Sequence, residues 1–215
     1  MERNHSAERH LYPEVLEVLQ QIKDDHPKAL IGAVTDGRYN PTLLQFTLGK
    51  YFDFACSWQD DQGQRKEFFQ ELESTGGDSS QLTWIYDEAR YKYAVLKQAA
   101  AGMEEGNQED VPTLVFPDTY DDRVWIHVGD DLALDVGGSA ACGAKTIYAA
   151  LADKYEQTAR YRHEGNKPEP AWSTTPPEEM KMRQQMALAG QEKVDVELNF
   201  LTRLPEAVND ILAGR

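Results

Sequence analysis

Three aspartates, Asp130, Asp131 and Asp135, fall within six residues in the stretch HVGDDLALD. Carboxylates set this close repel one another, and an oxygen-preferring cation such as Mg²⁺ relieves the repulsion. Asp135 taken alone also suits a helix N-terminus, where the helix dipole favours an acid. A second polar cluster, Thr35-Asp36-Gly37, follows the apolar GAV. A hydroxyl beside the backbone amides of such a turn can hold a phosphoryl oxygen. An ordinary Asp-Gly turn next to a threonine has the same residues and no ligand. The chemistry that would use both clusters is metal-assisted handling of a phosphate group.

The elements around the two clusters decide whether they are placed to act. Residues 13–24 predict a helix, with Pro13 in its first turn and Val15, Leu16, Val18, Leu19 and Ile22 on one stripe. Ala29 to Val34 is a short continuous apolar run, as in a buried parallel strand, and Pro41 to Leu48 reads as a short helix. A longer helix is expected over Ile85 to Ala101. Residues 104–122 carry seven acids and no base and read as a solvated loop, within which Val111 to Phe116 has the makings of a short strand. Val124 to Val128 predicts a second buried strand, Asp135 to Cys142 a small-residue helix capped by Gly143, and Ala144 to Ala149 a third strand. Val194 to Leu198 and Pro205 to Leu212 read as a last strand and a last helix. Helix, buried strand, polar turn, helix is the rhythm of an α/β fold with a doubly wound parallel sheet. In such sheets ligands bind beyond the carboxyl ends of the strands, where both polar clusters fall.

The chain of 215 residues corresponds to about 1.4 domains at ~150 residues each. We read 1–215 as a single, partial domain, with 152–190 as an exposed insertion. That stretch has four prolines, six acids and six bases, and one helix near Glu178 to Leu188. The formal charge of −15 makes nucleic acid or an anionic membrane surface a poor partner. Small phosphorylated ligands stay open, since backbone amides and a metal ion can hold them. Cys56 and Cys142 form no CxxC pair or Cys/His cluster, which suits two reduced thiols in a cytoplasmic protein. Met1 to His10 has no apolar core of a signal peptide, and no apolar run approaches the ~20 residues of a membrane span. Oligomeric state is not written in any pattern here.

The segment VWIHVGDDLALDVGGSAACGAKTIYA resembles motif IV of the haloacid dehalogenase-like (HAD) hydrolases: an apolar strand, GDxxxxD, a Gly/Ala-rich helix, then Gly-x-x-Thr leading a strand. GAVTDG resembles motif II, with Asp36 where Asn is common. LYPEVLEVLQQIK, KYFDFACSW and VDVELNFLTRLPEAVNDIL resemble, in the right order, the helix after the cap, the segment after motif II, and the closing strand and helix. The resemblance covers most of 11–150 and 194–212. GGSAACG is not GxGxxG and no GK[ST] occurs, so dinucleotide-binding and P-loop readings fail.

The resemblance implies a HAD-like, Rossmann-like sheet and a Mg²⁺-dependent phosphatase acting on a small phosphorylated metabolite. Dehalogenation is the lesser alternative, since it needs no metal cluster. Thr35 would hold the transferring phosphoryl group. Asp130 would ligate Mg²⁺, and Asp135 would support the metal and its waters. A motif III base would neutralise charge at the phosphate. Lys66 is the first candidate, although Glu67 stands where Pro is expected, and Arg90 and Lys92 are the alternatives. The nucleophile motif DxDxT/V, which should precede the Leu11 helix, has no match among the 215 residues. LVFPDTYDD at 114–122 is the nearest, and Tyr120 takes the place of the second Asp. The expectation is therefore a C-terminal portion of such a protein, lacking the nucleophile strand and cap and inactive as it stands. The competing reading is a non-catalytic remnant that binds metal, phosphate or a partner. A phospho-acceptor signalling domain, with Asp130 and Asp131 as its acidic pair, is a third reading that the GDxxxxD context disfavours.

Overall fold

The computed structural model describes residues 11–35, 48–61, 64, 80–105, 124–151 and 177–215. They belong to two compact units, one within 26–123 and the other made of 11–25 with 124–215. Each is mixed α/β with a small parallel sheet.

In the first unit, β1 (Gly32–Val34) pairs in parallel with β2 (Phe54–Cys56), Ala33 opposite Ala55. The expected strand from Ala29 is cut to three residues for a local reason. Ala29 N–H donates to His26 O at 2.9 Å in a turn, and Ile31 N–H donates to the Asp53 carboxylate at 2.7 Å. The ladder starts only after those groups are spent. Gly32 is needed where it stands, because a Cβ there would run into the Phe54 ring. After β2 comes the short helix α2 (Trp58–Asp61), entered through Ser57. The Ser57 N–H donates to Asp60 Oδ2 at 2.7 Å, one half of a capping box. The long helix α3 (Ser80–Glu105) extends past the expected Ile85–Ala101 at both ends and packs on both strands. Trp84, Ile85, Tyr86, Ala89 and Ala94 are buried along it. The expected helix 41–48, apart from Leu48, and the possible strand 111–116 lie outside the described residues.

The second unit opens with α1 (Val15–Asp25) and then holds β3 (Ile126–Gly129), β4 (Lys145–Ala149) and β5 (Val196–Leu198), in spatial order β3-β4-β5 and all parallel. Neighbouring residues of β4 point to opposite faces, as a pleated strand requires. Ile147, fully buried, joins Leu198, Val18 of α1, and Leu204 and Ala207 of α6 (Leu204–Leu212). Tyr148 on the other face joins Val136 and Ala150. A parallel sheet covered on both faces explains the continuous apolar runs of its strands. β3 is the end strand among those described, and Val124 and Val128 before and within it are 46% and 36% exposed.

Asp195 fixes the β4–β5 register. Its carboxylate accepts from Thr146 N–H at 2.8 Å, while Thr146 Oγ1 donates to Lys193 O. The helix expected near 178–188 is α5 (Pro177–Gln191). It is not simply exposed: Gly190 is buried against the backbone of Leu132, and a Cβ there would overlap the Leu132 carbonyl. The rest of the expected insertion, 152–176, lies outside the described residues.

Candidate functional site

The chain leaves β3 through Gly129, Asp130 and Asp131 and enters a π-helical turn, Leu132–Gly138, followed by α4 (Ser139–Ala141). The small-residue helix expected from Asp135 thus starts earlier and in a wider form. Val136 N–H reaches back five residues to Asp131 O at 3.0 Å. Gly143 has φ +88°, the left-handed conformation expected of a residue that ends a helix.

The three aspartates take three different places. Asp131 is the N-cap of the turn, its Oδ1 accepting from the N–H groups of Ala133 at 2.8 Å and Leu134 at 2.9 Å. Asp135 folds back over the strand end, where Oδ2 accepts from Asp131 N–H at 3.0 Å. Its Oδ1 lies 3.8 Å from Nε2 of His127. A Cβ on Gly129 would collide with the Asp135 side chain, so the glycine of GDxxxxD makes this return possible. Asp130 stands directly beyond β3, at the position where parallel sheets bind ligands. The mutual repulsion of these acids is thus met in part by backbone amides, an arrangement that sequence spacing does not reveal.

Among the described residues no three His, Cys, Asp or Glu side chains are grouped to hold a metal ion. Mg²⁺ is usually held by one or two carboxylates, water and substrate phosphate rather than by an all-protein cage. Asp130, at the strand end, is a carboxylate of that kind, whereas Asp131 is committed to its cap and Asp135 Oδ2 to the Asp131 N–H.

In the first unit, Thr35 lies just past β1, and its N–H donates to Cys56 O at 3.0 Å. Asp36, Gly37 and Lys66 lie outside the described residues. The two other candidate bases are separated clearly. Arg90 is in contact with Asp87 of its own helix at 3.5 Å. Lys92 crosses to the end of β2, where its ammonium donates to Ala55 O at 2.8 Å and to Asp60 Oδ1 at 2.5 Å, with Glu88 Oε1 at 3.7 Å. Thr35 and Lys92 therefore bond to consecutive carbonyls at one strand end. Sequence reasoning missed Asp60 and Glu88. Their signals were present as Ser57-x-x-Asp60, a capping-box spacing, and as Glu88 four residues before Lys92. Cys56, fully buried beside them, has its thiol pushed up to about 12. Burial is the main cause, Lys92 lowers it, and Asp60 and Glu88 add to the rise.

No family model matches the chain, and no curated protein matches it. No helix among the described residues is long and apolar enough to cross a membrane.

Proposed function

We propose that the chain carries the metal- and phosphate-binding parts of a HAD-like, Mg²⁺-dependent phosphatase for a small phosphorylated metabolite. The observation behind this reading is the placement of Asp130 directly beyond a parallel strand, with Asp135 folded back across Gly129. That gives each fixed position of GDxxxxD a physical task. Asp130 would hold Mg²⁺, and Asp135 would keep the strand end in shape. Thr35 would donate its hydroxyl to a phosphoryl oxygen. Lys92 would offset phosphate charge, since its ammonium reaches the end of β2 to which the Thr35 N–H also bonds; Lys66, the first candidate from sequence, lies outside the described residues. Bound Mg²⁺ at Asp130 would supply Lewis-acid charge for phosphate chemistry. A reducing, cytoplasmic setting suits the free thiols of Cys56 and Cys142.

Turnover through an aspartyl-phosphate needs a nucleophilic Asp, and the sequence contains no apolar run ending in DxD. That favours a second reading for this chain, binding without catalysis. The deciding experiment pairs hydrolysis of p-nitrophenyl phosphate in Mg²⁺ with calorimetric titration of Mg²⁺. Background hydrolysis is expected, with Mg²⁺ binding that Asp130→Ala weakens at least tenfold. Mg²⁺-dependent turnover lost in Asp130→Ala would overturn the binding-only reading. Mg²⁺ binding indifferent to Asp130 would remove the metal site altogether.

A further inference from the structure

Among the described residues, Lys92 is the cation whose side chain reaches the end of β2, and its ammonium already faces two carboxylates. They are not equivalent. Glu88 is 1% exposed and sits on α3 one turn before Lys92, so helix and burial hold it fixed. Asp60 belongs to the four-residue α2, and its side chain is 22% exposed beside a Lys92 side chain that is 27% exposed. Removing a buried carboxylate from its cation leaves a charge uncompensated, whereas a partly exposed one can exchange its partner for water.

We propose that Asp60 is an internal competitor for phosphate at Lys92: a phosphate group gains the ammonium by displacing the Asp60 carboxylate, while Glu88 stays in place. The contact is self-inhibitory. The apparent affinity for phosphate is lowered by the fraction of molecules in which Asp60 holds the lysine. The carboxylate is fastened at both ends, Oδ1 on Lys92 and Oδ2 on Ser57 N–H, so leaving costs two bonds. Thr35 is tied through its N–H to Cys56 O, the next carbonyl along the same strand. The choice of phosphate rests on the function proposed above; the role of Asp60 as competitor rests on these contacts.

The test uses the whole 215-residue chain without Mg²⁺, with inorganic phosphate and phenyl phosphate titrated separately. Calorimetry reads affinity, and carbon-13 resonances of the Lys92 side chain read the site. Asp60→Asn should tighten binding about tenfold, and Lys92→Gln should abolish it in both the wild-type and the Asp60→Asn background. Binding of the ester alone assigns the site to substrate, and binding of inorganic phosphate assigns it to product. A folded Asp60→Asn that binds less than threefold tighter overturns the proposal, as does phosphate affinity retained by Lys92→Gln. Should Asp60→Asn fail to fold, the wild type decides: saturating phosphate must shift the Lys92 resonances, and unmoved resonances overturn it. Because the readout needs neither Mg²⁺ nor turnover, its failure is separate from failure of the Asp130 metal site.

Discussion

Asp135 accepts the backbone N–H of Asp131 at 3.0 Å, over a strand end that Gly129 leaves clear. The bond ties the first turn after β3 to the carboxylate that follows it. Asp135→Ala leaves that partly buried N–H to find water and should cost about 1–3 kcal/mol. Gly129→Ala should cost more, because the new Cβ and the Asp135 side chain claim the same space. Urea unfolding of both variants checks the order.

Cys56 makes a prediction with a definite sign. An ordinary thiol titrates near ~8.5, while this one is pushed up to about 12. The folded chain keeps a proton that the unfolded chain releases, so the contribution to stability is full below about pH 8.5 and is lost as pH rises towards about 12. The urea midpoint should fall between pH 8 and 10.5, and Cys56→Ala should flatten part of that fall. At neutral pH a thiol reagent should label half-buried Cys142 well before Cys56, and equal rates would contradict the burial.

Gly190→Ala tests whether the C-terminal end of α5 is packed. The added methyl meets the Leu132 carbonyl and has to push the helix away from the π turn. A loss of about 1–3 kcal/mol is expected, in the range of overpacked cores. A neutral effect would mean that α5 is loosely held.

Leu198 is 1% exposed at the centre of the cluster shared by α1, β4, β5 and α6. Leu198→Ala should cost about 2–5 kcal/mol, whereas Leu188→Ala, at a residue 70% exposed, should lie within about 0.5 kcal/mol of wild type. Thermal or urea unfolding separates the two.

The positions of α1 and α6 were legible because their signals are local, while burial was only partly so: Val18 is buried, but Leu16 of the same expected stripe is 39% exposed. Val15, Val18 and Ile22 recur at helical spacing, and α1 and α6 begin and end within two residues of expectation. Strand lengths were less legible. Where β1 starts depends on Asp53, more than twenty positions from Ile31 in sequence. The metal candidates could be read as a cluster, but not divided into a cap, a folded-back brace and a residue at the strand end. That division depends on the absence of a Cβ at Gly129 and on the π turn. The reach of Lys92 to Ala55 O spans 37 residues, which no motif spacing encodes.

A π turn accommodates one residue more than the α turn it replaces. At about 100° per residue, the surplus between Asp131 and Ser139 sets the rotational phase at which α4 begins. In that phase Ser139 points inward, fully buried, with its hydroxyl on the Asp135 carbonyl. Remove one residue, and the inward place passes to Ala140, which has no hydroxyl to offer. The spacing between Asp130 and Asp135 therefore acts as a dial for everything downstream: a one-residue change turns the helix rather than lengthening the loop.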